Sequence, residues 1–247
     1  KCYSIIRVGP YSREQNGLLS DADGDSIAEK NPNYCELTAM YWMWKNDTTS
    51  EVIGMCHYRR YFTTHALSVD PKYFLKEKDI ENILKSYDAL VPFNQSYCMG
   101  AYKKYLCCGY EKDLETTKEA IKKLYPEYVP FYEKYFENSA SFRLGNMVIM
   151  KREVFDSYCE WLFNILQYVE EHTDLSGYSV QEARIYGYIS ERLLDVWLSA
   201  NKVKCKSMRI VNTEEMHNSI YYAKEFLKSI KVYDFIKTTV FRLQSKE

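Results

Sequence analysis

Short apolar runs alternate along this chain with stretches whose apolar residues recur every third and fourth position. The runs are Lys1–Val8 (Tyr3, Ile5, Ile6 and Val8 apolar), Glu51–Tyr58 (Val52, Ile53, Met55 and Cys56), Asp88–Pro92, Leu144–Met150 and Lys202–Val211. Helical stripes lie between them. One carries Leu37, Met40, Tyr41 and Trp44; a second, from Asp79, carries Ile80, Ile83, Leu84 and Tyr87; a third, from Asp113, carries Leu114, Ala120, Ile121 and Leu124. Phe155, Tyr158, Trp161, Leu162, Ile165, Leu166 and Val169 mark a long helix over 152–171, and another follows over 181–201. A chain that switches repeatedly between these two periods builds helices on a sheet. The order predicts one α/β domain with a mostly parallel central sheet flanked by helices. We place that domain at residues 1–211 and a helical C-terminal tail at 212–247. The 247 residues suffice for one such core.

Local signals refine the boundaries. Asn33, with Glu36 three residues on, reads as a capping box that opens the first long helix, and Lys45-Asn46 closes it. Pro92 stops a buried strand; Pro126 restarts a helix. Residues 11–33 and 93–110 read as irregular.

The run from Val52 ends, without a turn signal, in His57-Tyr58-Arg59-Arg60-Tyr61-Phe62. Two arginines and a histidine at the end of an apolar strand are costly unless an anion meets them. Strand ends are where open α/β sheets bind ligands. The stretch therefore reads as cations delivered to a phosphate-bearing substrate. Strand alternation places His57 and Arg59 on one face and Arg60 on the other, unless the strand has ended or bulged.

Bulk properties remove other classes. A net charge of −1 gives no electrostatic case for nucleic acid. The eight cysteines contain no C-x-x-C pair, so we expect a reducing compartment rather than a disulfide framework or zinc site. No apolar run approaches the ~18–20 residues of a membrane span, and no signal-peptide pattern is visible. The expected location is cytoplasmic. Residues 220–247 hold six cations against three acids, with Ile220, Ala223, Leu227, Ile230 and Tyr233 on one stripe. Such a helix packs on its own domain or a twin subunit, or lies on an anionic membrane surface at the inner face of the cell membrane. The 24 tyrosines suit sugar or base binding but also fit compositional bias.

Further candidates come from the remaining polar residues. Arg184, Tyr188, Glu191, Arg192 and Asp195 recur at helical steps and share one face. That face is either a solvated ion-pair surface or one that closes over the ligand end of the sheet, with Arg184 or Arg192 on an anion and Glu191 as a base. Asn146 lies within an apolar run and needs its amide satisfied; Asp88 stands at a strand entry. Asp21-x-Asp23-x-Asp25 starts like a calcium loop, but its sixth and twelfth positions are Ser26 and Pro32 instead of Gly and Glu. It reads as a polar turn or as an Asp-x-Asp pair for a divalent metal. No P-loop, dinucleotide fingerprint, nucleophile elbow or zincin motif is present. With nine glycines, backbone cradling of phosphate is less expected than side-chain cations.

The segments Asn31–Asn46, with its Glu36-Leu37-Thr38-x-x-Tyr41-Trp42-x-Trp44-Lys45-Asn46 core, and Gly54–Phe62 resemble a bacterial family once catalogued only as a domain of unknown function. That family accompanies capsular and exopolysaccharide biosynthesis genes and is described as glycosyltransferases. Asn146–Lys151, Trp161–Leu166 and Arg184-x-x-Gly187-Tyr188-x-Ser190-Glu191-Arg192-Leu193 also match, so the resemblance spans about residues 17–200. It implies a GT-A-like enzyme moving a sugar, galactofuranose or another hexose, from a UDP-sugar or similar donor to a glycan or lipid-linked acceptor. Family members usually carry a His-Lys-like element upstream of what is Lys1 here. Asp23, Gly24 and Asp25 match as well.

On that reading the leaving diphosphate needs charge stabilisation. His57, Arg59 and Arg60 stand where such enzymes often carry a metal motif, with Asn146, Arg184, Tyr188 and Arg192 as further donor-binding residues. Arginine holds phosphate bidentately without a metal. The favoured expectation therefore requires no metal; the alternative is manganese or magnesium on Asp23 and Asp25. Glu191 is the first-choice base, with Glu182 and Asp88 behind it. Two rival functions are a sugar-phosphate transferase and a non-catalytic carbohydrate-binding or assembly module.

Overall fold

The computed structural model describes residues 3–11, 17–65, 68, 70–96 and 99–215. The tail of residues 220–247 thus lies outside the described residues. In chain order the elements are β1 (Ile6–Arg7), β2 (Leu19–Ser20), α1 (Asn31–Tyr34), α2 (Leu37–Asn46), β3 (Val52–Met55), β4 (Arg60–Thr63), α3 (Glu77–Leu84), β5 (Ala89–Pro92), β6 (Gln95–Ser96), α4 (Gly100–Tyr105), α5 (Glu111–Leu124), α6 (Val129–Tyr132), β7 (Ser141–Phe142), β8 (Val148–Lys151), α7 (Arg152–Glu171), α8 (Ile185–Ala200) and β9 (Cys205–Asn212).

The expected α/β architecture, a central sheet flanked by helices, is present. The sheet has the order β3-β8-β5-β9-β4. Its pairing corrects the mostly parallel expectation: β5 and β9 run parallel, while β3/β8, β8/β5 and β9/β4 are antiparallel. For β4 the cause is local: residues 56–59 turn the chain back within a few positions, so β4 runs opposite to β3 and antiparallel to its one partner, β9, without a helical crossover. β9 lies between β5 and β4 and is not an edge strand. The first run forms only β1, paired with β2 outside the main sheet.

Consecutive strands β3 and β4 occupy opposite edges of this sheet. In a flat five-stranded sheet those edges would stand roughly 19 Å apart. Two extended residues and one tight turn span only about 14 Å. The sheet must curl, and the His57–Arg60 turn closes the curl at one end.

Side-chain alternation splits the core into two layers. Ala89, Val91, Val148 and Met150 face the larger cluster, with Leu162, Ile165 and Leu166 of α7 and Leu193 and Val196 of α8. Leu90 and Ile149 point the other way, to Phe62, Leu75 and Leu84. All seven residues read as the inward stripe of α7 are buried. Truncating one, as in Phe155→Ala, is expected to cost about 3–5 kcal/mol through the cavity left behind.

The expected capping box at Asn33 and Glu36 does not form. Asn33 lies inside α1, and the chain breaks at Cys35 (φ 55°, ψ −133°) before α2 begins. Residues 93–110, expected to be irregular, contain β6 and α4.

Candidate functional site

The C-terminal end of β3, the N-terminal end of β8 and the C-terminal ends of β5 and β9 share one side of the sheet. There the chain leaves β3 and turns, the Arg60 N–H donating to the His57 carbonyl at 3.1 Å. Because the strand has ended, alternation no longer applies. His57 and Arg60 come to the same place: a Cβ on Gly145 would sit 3.3 Å from His57 Nε2 and 3.4 Å from Arg60 Nη1. The Arg59 side chain, at the rim, pairs with Glu214, and its carbonyl accepts the Thr213 N–H at 2.8 Å. Among the described residues the Arg60 guanidinium has no hydrogen-bond or ion-pair partner.

Gly145 and Asn146 form a left-handed turn (φ 87° and 48°) just before β8. This replaces the strand expected from Leu144. Glycine has no Cβ penalty at the first position, and asparagine tolerates the second. The turn gathers three side chains. The Gly145 N–H donates to Glu191 Oε1 at 2.7 Å. The Gly145 carbonyl meets His57 Nε2 at 2.5 Å, which requires that nitrogen to carry the proton. The buried Asn146 amide donates to Glu36 Oε1 at 2.9 Å and accepts from Ser190 Oγ at 2.9 Å.

Arg184, which caps α8, and the first turns of that helix supply the opposite wall. Arg184 Nε donates to Cys35 Sγ at 3.1 Å, and its Nη1 reaches Gln181 Oε1 at 3.4 Å; neither partner is a carboxylate. Gly187 lets α1 approach, since a Cβ there would lie 3.1 Å from Cys35 Sγ. A cavity of about 180 Å³ results, lined by Cys35 and Glu36, by His57 through Arg60, and by Arg184, Gly187, Tyr188 and Glu191.

Electrostatics single out Glu191. Burial pushes its carboxyl up to about 7; Arg192 opposes this, Glu36 adds to it, and the Gly145 N–H and Arg60 oppose it. A carboxylate near neutrality can exchange a proton under ordinary conditions. Burial also raises the Cys35 thiol, with Arg184 opposing, so Cys35 is not arranged as a thiolate.

Of the residues singled out from sequence, His57, Arg59, Arg60, Arg184, Tyr188 and Glu191 line this cavity. Asn146 sits behind it and holds Glu36. Arg192 is buried, donating to the Ala101 and Tyr188 carbonyls at 3.2 and 2.6 Å beneath the pocket, with its guanidinium 4.2 Å from the Phe142 ring centroid. Asp88 is at the opposite end of the sheet, 2.8 Å from Lys151 Nζ. Glu182 accepts from the Ser179 N–H and the Tyr110 hydroxyl, each at 2.8 Å. Asp23 and Asp25 are exposed, outside the cavity, against Trp42, Tyr41 and Asn46. Among the described residues no three His, Cys, Asp or Glu side chains are arranged to hold a metal. Sequence reasoning missed Cys35, Glu36, Tyr58 and Gly187 as pocket residues. Their signal was present only as the motif blocks that contain them.

Fold and site together define a helix-flanked curled sheet with a cationic, carboxylate-bearing pocket at one end. Residues 1–202 match the family model described as a domain of unknown function, DUF4422, and the chain belongs to that family. The chain is also similar to the apo structure of the bifunctional glycosyltransferase WbbM, at 30% identity and a TM-score of 0.75, over 84% of this chain and 41% of that one. It thus spans less than half of that relative's length. No curated protein matches the chain. Among the described residues no helix is long and apolar enough to cross a membrane.

Proposed function

We propose that this chain is a glycosyltransferase that moves a hexosyl group, galactofuranose being one candidate, from a UDP-sugar to a bacterial surface glycan or its lipid-linked precursor. The observation that carries this reading is the convergence of His57, Arg60, Arg184 and Glu191 on one cavity at the ligand end of the sheet. The likeness to WbbM, itself named as a glycosyltransferase, supports it.

Arg60 and Arg184 hold the donor diphosphate, and the N-terminal turns of α8 add their positive dipole end. His57 Nε2–H is fixed on the Gly145 carbonyl, which orients the ring. As the sugar–phosphate bond breaks, negative charge grows on the leaving oxygen, and the two guanidiniums that line the cavity stabilise it. Glu191 takes the acceptor hydroxyl proton. No resident metal is invoked; Asp23 and Asp25 stand outside this cavity.

The test is a panel of sugar nucleotides incubated with acceptor glycans, reading nucleoside diphosphate release and the mass of the product. A hexose increment without phosphorus supports the proposal, and a phosphorylated increment identifies a sugar-phosphate transferase. Glycan binding with no nucleotide binding by calorimetry identifies a carbohydrate-binding module. Full activity in EDTA supports cation-only stabilisation, whereas loss restored by manganese points to Asp23 and Asp25.

A further inference from the structure

Glu36 carries no role in the mechanism above, yet the fold takes trouble to place it. The residue before it, Cys35, has φ 55° and ψ −133°, a conformation that favours glycine. Holding another residue there costs on the order of 1–3 kcal/mol. The break stops α1 and turns Glu36 into the cavity ahead of α2. Asn146, also at positive φ, meets it with a 2.9 Å hydrogen bond. The adjoining Gly145 N–H holds Glu191 at 2.7 Å. One two-residue turn thus grips two carboxylates that face the same small cavity.

We propose that Glu36 and Glu191 work as a coupled carboxylate pair, in which Glu36 is a positioning residue that governs how tightly Glu191 holds its proton. This rests on the proposed glycosyl transfer. In the step itself the acceptor oxygen bonds to the anomeric carbon and its proton passes to Glu191. The bond from that carbon to the diphosphate oxygen breaks, and the electron pair leaves with the diphosphate. The negative charge of Glu36 favours the protonated form of its neighbour.

The groups that face Glu191 come from every surrounding element. Glu36 and Cys35 approach from the α1–α2 break, His57 and Arg60 from the β3–β4 turn, Tyr188 and Arg192 from α8, and Cys108 from beyond α4. Among these, Glu36 is the carboxylate, and it lies 3.6 Å from His57 Nε2. Burial is the largest influence on Glu191, the Arg192 charge opposes it, and Glu36 comes next, in the raising direction.

The test uses the full chain labelled with ¹³C at glutamate side-chain carboxyls, with Glu191→Gln to assign the resonance. A Glu191 resonance with no midpoint near neutrality in the unmutated protein overturns the proposal without needing a variant. Glu36→Gln keeps an oxygen for Asn146 but removes the charge, so the Glu191 midpoint is expected to fall by on the order of one pH unit. Glu36→Asp keeps the charge and is expected to leave it near its original place. An unmoved midpoint in Glu36→Gln, or equal movement in both variants, also overturns the coupling. Where transfer is established, its acid limb should follow the same displacement, raising relative activity at pH 6 about fivefold in Glu36→Gln. Because the titration needs no substrate, coupling stands or falls separately from the glycosyltransferase reading.

Discussion

The two adjacent arginines of the β3–β4 turn should separate cleanly on mutation. Arg60 faces the cavity beside His57 and lacks a hydrogen-bond or ion-pair partner among the described residues. Its removal breaks no hydrogen bond, and the buried Glu191 keeps the Gly145 N–H and the Arg192 charge, so the thermal midpoint of Arg60→Ala should stay close to that of the unmutated protein. What it loses is a charge-assisted hydrogen bond to phosphate, commonly about 1.5–3 kcal/mol. That predicts a Kd for UDP weaker by roughly 10- to 150-fold, read by titration calorimetry at fixed salt. Arg59 is committed to Glu214 across an exposed pair, so Arg59→Ala should change UDP affinity far less. A larger affinity loss in Arg59→Ala than in Arg60→Ala would refute the assignment, because it would require Arg59 to exchange Glu214 for the donor.

Other outcomes follow from the same geometry. Glu191→Gln should bind UDP normally and lose transfer by about 10²–10⁴ in kcat, and the rate of the unmutated enzyme should rise as pH passes through about 7. Stability carries the opposite sign: a carboxyl raised from 4.5 to about 7 favours folding while protonated, so this contribution is full below pH 4.5 and is lost as pH rises through 7. The change is on the order of 3 kcal/mol and should be absent from Glu191→Gln in urea titrations compared at pH 5 and pH 8. Asp113 is fully buried and accepts from the Tyr105 hydroxyl at 2.9 Å, the Tyr178 hydroxyl at 2.5 Å and the Tyr110 N–H at 2.9 Å. Asp113→Ala orphans those donors, and a thermal melt should show a loss on the order of 3 kcal/mol or more.

The helices and the core were legible because a periodic stripe records which face is buried. The seven inward residues of α7 are all in the core for that reason. Strand direction was not legible, because a short apolar run reads the same whether its neighbour is parallel or antiparallel. The site divides along the same line. Residues on α8 were found by spacing, which fixes a helix face once the helix is known; Tyr188 and Glu191, with Arg184 at the cap, reach the cavity accordingly. Period alone overreached with Arg192, one step along, whose guanidinium turns inward to the Ala101 carbonyl.

What sequence could not supply was the set of breaks in period. His57 and Arg60 share a side because the strand stops, Asn146 reaches Glu36 because a left-handed turn precedes β8, and Glu36 enters the cavity because Cys35 interrupts a helix. None of these breaks carries the usual marker of glycine or proline at the residue that bends, except Gly145. In each case tertiary contacts hold the backbone: the Gly145 carbonyl on His57, the Ser190 hydroxyl on Asn146 and the Arg184 guanidinium on Cys35. One of those three contacts comes from α8, the element whose face was readable, and another from Arg184, the residue that caps it. The helix therefore does more than present Glu191. It clamps the irregular segments that bring the other pocket residues to it, so loosening α8 should disperse the whole pocket and not merely remove its base.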